Sequence, residues 1–317
     1  MTQEDQLSTH DLALLQLGRR LQADGYRFTT PTPLTHQRVN QRDEGQFADS
    51  LRDVFGWSRP FEPGLLSADE QQQLLEAQVI DTYEGHLKSR VRWSSLDDML
   101  FVHSAFPTDA ADSVFFGPDT YRFAQLIHAH LQQNFAPIHR AVDIGCGAGV
   151  GAILIARARR EAQVLALDIN PAALRLTTVN AALAEVANVE ACNCDILQGV
   201  DGDFDLIVAN PPYMADPAAR AYRHGGGTLG AGLSLRIVEQ ALNRLTPGGS
   251  LVLYTGVAMV DGRDPFLDTV LPRLDESRFG WTYRELDPDV FGEELLNPGY
   301  QRVDRIAVVA LTVTRIG

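Results

Sequence analysis

The chain is poor in cysteine, in positive charge and in long apolar runs, and each shortage removes a class of protein. Its 317 residues include three cysteines, Cys146, Cys192 and Cys194. So few clustered thiols cannot make a disulfide framework, and they fit a reducing, cytosolic compartment. Cys192 and Cys194 lack the second ligand pair of a zinc site, so no metal is expected. Lys and Arg number 27 against 41 Asp and Glu, a net charge of −14. That balance opposes a broad phosphate-binding surface, because nucleic-acid affinity draws on cations that displace counterions. A local basic groove stays open. No stretch approaches the ~20 apolar residues of a membrane span, and the polar amino terminus has no basic segment leading into an apolar one. The expectation is a soluble cytoplasmic protein without a membrane partner.

What is present suits a globular chain with a real core: 45% hydrophobic residues and 21% charged. The length favours one large domain plus an appendage. Ser8 or Thr9 caps a helix with Leu12, Leu14, Leu15, Leu17 and Leu21 at near-helical spacing, stopped by Gly25. Residues 41–50 and 51–55 read as further short helices, and Ser67 with Glu70 forms a capping box that opens a helix through about Ala77. Val91 and Trp93, then Leu100 and Val102, flank residues 94–98 as a hairpin. The organisation expected is a mainly helical unit at 1–85, a linking hairpin at 86–114 and a main domain at 115–317. Phe115, Phe116, Gly117 and Pro118 precede a helix over 121–133, capped by Asp119 or Thr120, with Phe123, Leu126, Ile127 and Leu131 inward. The two phenylalanines can cover a ligand pocket or fill the core.

From Ala141 the pattern is specific. A strand at 141–144 runs into Gly145, Cys146, Gly147, Ala148 and Gly149, and residues 150–160 are rich in Ala and Arg, as a helix requires. Alternate glycines let a ligand approach the backbone at a helix amino terminus. A second strand ends in Asp168, placed to hold two ribose hydroxyls, and a third leads to Asp195, which can accept from an adenine amino group or cap a helix. Gly147, Gly149 and Ala152 satisfy a dinucleotide pattern, which keeps a nicotinamide oxidoreductase open. Asp143, inside the first strand, favours S-adenosylmethionine instead, since a carboxylate receives an ammonium group and repels a pyrophosphate. The buried strand 206–209 then stops at Asn210, Pro211, Pro212 and Tyr213. Two prolines force a stiff exit from the sheet at its carboxyl edge, where open α/β folds bind ligands.

Asp143 to Gly149, Asp168, Asp195 and Asn210 to Tyr213, in this order, resemble a class I S-adenosylmethionine-dependent methyltransferase. Within that class the chain is similar to the HemK/PrmC-type glutamine N5-methyltransferases and shares its Asn-Pro-Pro-Tyr loop with the N6-adenine enzymes. The match runs over residues 115–260, and Gly230 to Ile237 is similar to the stretch that follows the family's catalytic loop. Gly117, Pro118, Asp119 and Thr120 replace the family's Pro-Arg-Pro-Glu-Thr-Glu, and Ala231 stands where an acidic residue is usual. The resemblance implies an α/β, Rossmann-like fold with a seven-stranded, mostly parallel sheet, a small amino-terminal helical domain and a linking hairpin. Further strands are expected at 250–255, 282–286 and 305–314, the last antiparallel, and helices at 233–245 and 266–271.

The candidate cofactor residues are Asp143, Gly145, Cys146, Gly147, Gly149, Asp168, Ile169, Asp195, Ile196 and Asn210. The candidate catalytic residues are Asn210, Pro211 and Tyr213. Asn210 Oδ1 and the Pro211 carbonyl would accept the two N–H groups of a planar amide or amine, and Tyr213 would stack on it. Three function classes follow. They are methylation of a protein or small-molecule amide, methylation of nucleic-acid adenine with phosphate contacts from Arg220, Arg223 and Arg236, and a non-catalytic S-adenosylmethionine-binding module. The acidic loop at 287–294 reads as a solvated turn placed to touch substrate.

Overall fold

The computed structural model describes residues 7–42, 46–215 and 222–317. The amino-terminal part holds α1 (Thr9–Ala23), α2 (Pro33–Asn40), α3 (Leu51–Phe55) and α4 (Ala68–Glu76). Two hairpins follow, β1 (Ile80–Tyr83) with β2 (His86–Ser89) and β3 (Val91–Leu96) with β4 (Met99–Ser104). Ser8 is the α1 cap, accepting the Asp11 N–H at 3.2 Å, and Gly25 at φ +68° turns the chain away. Ser67 and Glu70 form the expected capping box of α4.

No helix forms over the described residues between 41 and 50. The helix lies earlier, in α2, because Thr32 caps it and Pro33 sits in its first turn, the start signal the periodicity did not register. The first hairpin spans 80–89 and so crosses the boundary expected at 85.

The main sheet has β5 (Arg140–Ile144), β6 (Gln163–Asp168), β7 (Val189–Asn193), β8 (Phe204–Ala209), β9 (Leu245–Met259), β10 (Phe279–Asp287) and β11 (Arg305–Arg315). Its seven strands run in the order β10-β11-β9-β8-β5-β6-β7. Strands β5 to β9 are parallel to their neighbours in that group, and β11 is antiparallel to both β9 and β10. This is the Rossmann-like class I methyltransferase fold expected, with the last strand reversed. The strand order switches at β5, between β6 and β8, so the loops after these strands diverge and open a crevice at their carboxyl ends.

Around the sheet lie α5 (Pro118–Gln133), α6 (Val150–Ala158), α7 (Pro171–Leu183), α8 (Gly232–Leu242) and α9 (Pro265–Val270). Alternation along β8 divides the core: Leu206 and Val208 face one side with Phe123, Ile153 and Val179, while Ile207 and Ala209 face the other with Ile237 and Phe266. Leu14, Leu21 and Trp93 of the amino-terminal part belong to the first of these cores. Each such large side chain contributes about 1.5–3 kcal/mol on burial. One buried residue of α7 ties the parts together. Asn180 accepts the Val102 N–H at 2.8 Å and donates to the Val102 and Ala148 carbonyls at 3.0 and 2.8 Å, linking β4 to the glycine loop. Among the described residues no helix is long and apolar enough to cross a membrane.

Candidate active site

The loop after β5 turns back through Gly145, Gly147 and Gly149, at φ +70°, +56° and +81°. A side chain is strained in this left-handed region, which is why the sequence repeats glycine there. Gly145 and Gly147 line a cavity of about 760 Å³ at the carboxyl ends of the strands, together with Cys146. Gly149 does not line it. It is the cap residue of α6, pressed so closely to α7 that a Cβ would sit 2.8 Å from Thr177 Cγ2.

The acids expected on successive strands converge on the same cavity. Asp143 is fully buried, and its Oδ2 accepts the Ala152 N–H at 2.9 Å. Burial pushes its carboxyl up to about 7 against the pull of that N–H, and the neighbouring Asp168 charge adds to the rise. Asp168 is raised by burial as well, although the N–H groups of Gly147 at 3.0 Å and Asn170 at 2.9 Å oppose it. These contacts hold the Asp168 carboxylate at the rim of the glycine loop. Asp195 Oδ2 takes Arg236 Nη2 at 2.7 Å and Gln198 Nε2 at 3.1 Å. Ile169 is exposed as an apolar shelf, and Ile196 is buried at φ +59°; both line the cavity.

Cys146 is a wall residue whose thiol burial pushes well up, 3.5 Å from Thr177 Oγ1. All three cysteines are free thiols, and no metal-binding cluster exists among the described residues.

Asn210, Pro211 and Pro212 line this cavity and also a second one of about 300 Å³ behind it. Phe115 and Tyr222 border both, their rings stacked at 6.2 Å and 6°. Phe115 therefore serves the pocket, while Phe116 is wholly buried in the core. Tyr213 lines the second cavity, and its hydroxyl donates at 2.6 Å to Oδ2 of Asp119, which borders the same cavity. Burial and the Asp119 charge push the Tyr213 hydroxyl well above its usual range, so it stays protonated.

Asp119 is thus not the helix cap expected. Gly117 is the cap residue of α5, with Thr120 Oγ1 accepting its N–H at 3.2 Å, and Asp119 turns inward to receive Tyr254 as well, at 2.7 Å. The acidic loop is likewise more than a solvated turn. Asp287 pairs with Arg122 at 2.8 Å, Glu294 is buried and pairs with Arg223, and Phe291 walls the second cavity. Phe291 and Pro33 of α2 are contributions that no motif signals, since each reaches the site from a distant part of the chain. Arg223 and Arg236, two of the cations offered for phosphate, are engaged by Glu294 and Asp195. Arg220 lies outside the described residues.

The donor set of the larger cavity fits S-adenosylmethionine. Three carboxylates, Asp143, Asp168 and Asp195, face a space whose one cation, among the described lining residues, is Arg236. This wall attracts a sulfonium and ammonium and repels the pyrophosphate of a dinucleotide.

The methyltransferase small domain family matches residues 112–260. A release factor glutamine methyltransferase of Deinococcus radiodurans is 31% identical over 222 residues, covering 66% of this chain and 71% of that protein. The protein of that name from Lactococcus lactis is 33% identical over 44% of this chain and 54% of its own length. A ribosomal protein uL3 glutamine methyltransferase of Neisseria gonorrhoeae is 31% identical over 38% of this chain and 44% of its own. The chain spans about half the length of these last two relatives. By the Deinococcus match, which extends across most of both proteins, the chain belongs to the release factor glutamine methyltransferase group of the class I S-adenosylmethionine-dependent methyltransferases.

Proposed function

We propose that the chain methylates the side-chain amide nitrogen of a glutamine in a protein, with S-adenosylmethionine as donor. The observation that carries this reading is that Asn210, Pro211 and Pro212 form an edge common to two cavities, one large and acidic, the other small and walled by rings. The names of the relatives, glutamine methyltransferases acting on a release factor or on uL3, support the acceptor.

When bound, the cofactor supplies an electrophilic methyl on sulfur. Asp168 holds ribose hydroxyls, Asp143 receives the ammonium end and Asp195 the adenine amino group. Gly145, Cys146 and Gly147 give backbone and wall, with Ile169 and Ile196 as apolar cover. Asn210 Oδ1 and the Pro211 carbonyl accept the two amide N–H bonds. Those bonds orient the acceptor nitrogen and stabilise the tetrahedral character it gains as its lone pair leaves conjugation. Tyr213 offers its ring to the planar amide and, with a proton held toward Asp119, takes no part as a base. Positioning supplies most of the rate gain, and the amide proton leaves to water after transfer. The free thiols support a cytoplasmic setting.

The test is incubation of the protein with methyl-labelled S-adenosylmethionine and fractionated cytoplasm. Label in protein, recovered as N5-methylglutamine after digestion, is the outcome expected. Label in nucleic acid or in small molecules alone would overturn the reading.

A further inference from the structure

Asn210 and the Pro211 carbonyl can act only if their loop is held still, and the loop has little means of its own. Neither Pro211 nor Pro212 has an N–H to donate to a neighbour. Backbone anchorage comes later, where Met214 N–H donates to the Arg223 carbonyl at 3.0 Å and Gly225 N–H to the Met214 carbonyl at 2.9 Å. Ala215 N–H also donates to the Tyr300 hydroxyl at 2.8 Å. Between these contacts and Asn210 stands one side chain with a buried polar anchor, Tyr213, on Asp119 Oδ2 at 2.6 Å.

The anchor is built from three separate elements. Asp119 comes from the first turn of α5 and is 5% exposed. Tyr254 of β9 donates to its other oxygen at 2.7 Å, and Arg122 Nη1 lies 3.3 Å from that oxygen. Gly256, two residues along β9, makes room for the Tyr213 ring: a Cβ there would fall 2.1 Å from Tyr213 Cδ2. A carboxylate only accepts, so both phenols are directed onto it without a competing arrangement. An amide at this place keeps an acceptor for one phenol and offers its N–H to the oxygen of the other, so Asp119→Asn can retain the Tyr213 bond and only removal of the carboxylate takes both bonds away.

We propose that Asp119 is the positioning residue of the catalytic loop, fixing Asn210 and Pro211 against the acceptor through its hydrogen bond to Tyr213. The proposal rests on the reading that Asn210 and Pro211 hold the acceptor nitrogen. Asp119 borders the second cavity, with Oδ2 taken by Tyr213 and Oδ1 by Tyr254. It acts on the rate through geometry, where a displacement of about 1 Å costs on the order of 100-fold.

The experiment compares wild type with Asp119→Ala, Tyr213→Phe, the double variant and Tyr254→Phe. Amide hydrogen exchange at Met214, Ala215 and Gly225, which needs no acceptor, is measured beside kcat, KM and S-adenosylmethionine affinity. Faster exchange at these three amides is expected in Asp119→Ala and in Tyr213→Phe. So is a fall in kcat of about 100-fold with cofactor affinity unchanged. The double variant should be no worse than Asp119→Ala alone, because both changes break the same bond, whereas independent structural damage would add. Tyr254→Phe leaves the Tyr213 bond in place and should lose less than about tenfold, and its contrast with Tyr213→Phe tests the proposal should Asp119→Ala fail to fold. Unchanged exchange in both single variants, unchanged kcat, or additive losses would overturn it. If wild type methylates no protein, the reading of the function falls, while the exchange rates still decide whether Asp119 holds the loop.

Discussion

Arg236 donates to Asp195 Oδ2 at 2.7 Å on the wall of the cofactor cavity, on the carboxylate expected to meet adenine. Gln198 uses the same oxygen, so among the described residues Asp195 Oδ1 has no protein donor and remains for the adenine amino group. Asp195→Ala should therefore weaken S-adenosylmethionine by about tenfold, the scale of one hydrogen bond to a charged acceptor. Arg236→Ala should change it less than about threefold, because both partners of the pair are roughly half exposed. Titration calorimetry on the two variants checks the difference, and equal losses would remove Asp195 from adenine recognition.

Asn210→Ala separates binding from transfer. The side chain supplies one of the two acceptors proposed for the amide, so turnover should fall by at least about 100-fold. Cofactor affinity should stay within about threefold, since the glycine loop and the three acids are untouched. A methyl-transfer assay beside calorimetry reads both, and wild-type turnover would place the acceptor elsewhere.

Asp143 should make cofactor binding depend on pH. Its folded-state pKa of about 7 lies above the ordinary 3.8. The folded protein thus holds this proton more tightly than the unfolded chain, and the stability so contributed is present at low pH and lost as pH rises toward 7. If Asp143 receives the ammonium group as proposed, its ionised form is the one that binds, and affinity should rise by about tenfold between pH 6 and pH 8. Asp143→Asn should flatten that profile. Calorimetry in buffers of differing ionisation heat would also register the proton released below pH 7.

Gly149 is constrained by packing. At φ +81°, with Thr177 occupying the place of a Cβ, Gly149→Ala should cost about 2 kcal/mol or more in folding free energy. Denaturant unfolding would show it even without cofactor. A Gly149→Ala protein as stable as wild type would mean that α6 and α7 can move apart at little cost.

Some of this site was legible before any fold was known, and for a definite reason. Glycines at alternate positions, acids at strand ends and a double proline after a buried strand are local demands of backbone geometry, so they show in consecutive residues. Asp143, Asp168, Asp195 and Asn210 accordingly fall on one cavity, in the order the chain presents them. Asp119 shows the limit. Beside Gly117 and Pro118 it reads as a helix cap, and nothing local says that Tyr213 and Tyr254, which lie 94 and 135 residues away along the chain, both end on its oxygens.

The sequence by itself determined the reaction class, methyl transfer, because the glycine loop, the strand-end acids and the Asn-Pro-Pro-Tyr loop that mark it are short, contiguous motifs. Only the tertiary structure decided what walls the second cavity and where the Tyr213 hydroxyl is bonded. Pro33, Phe291 and the carboxylate of Asp119 come from separate elements. They meet because the sheet order and the packing of its helices bring them together, a relation of distance in space that spacing along the chain does not encode.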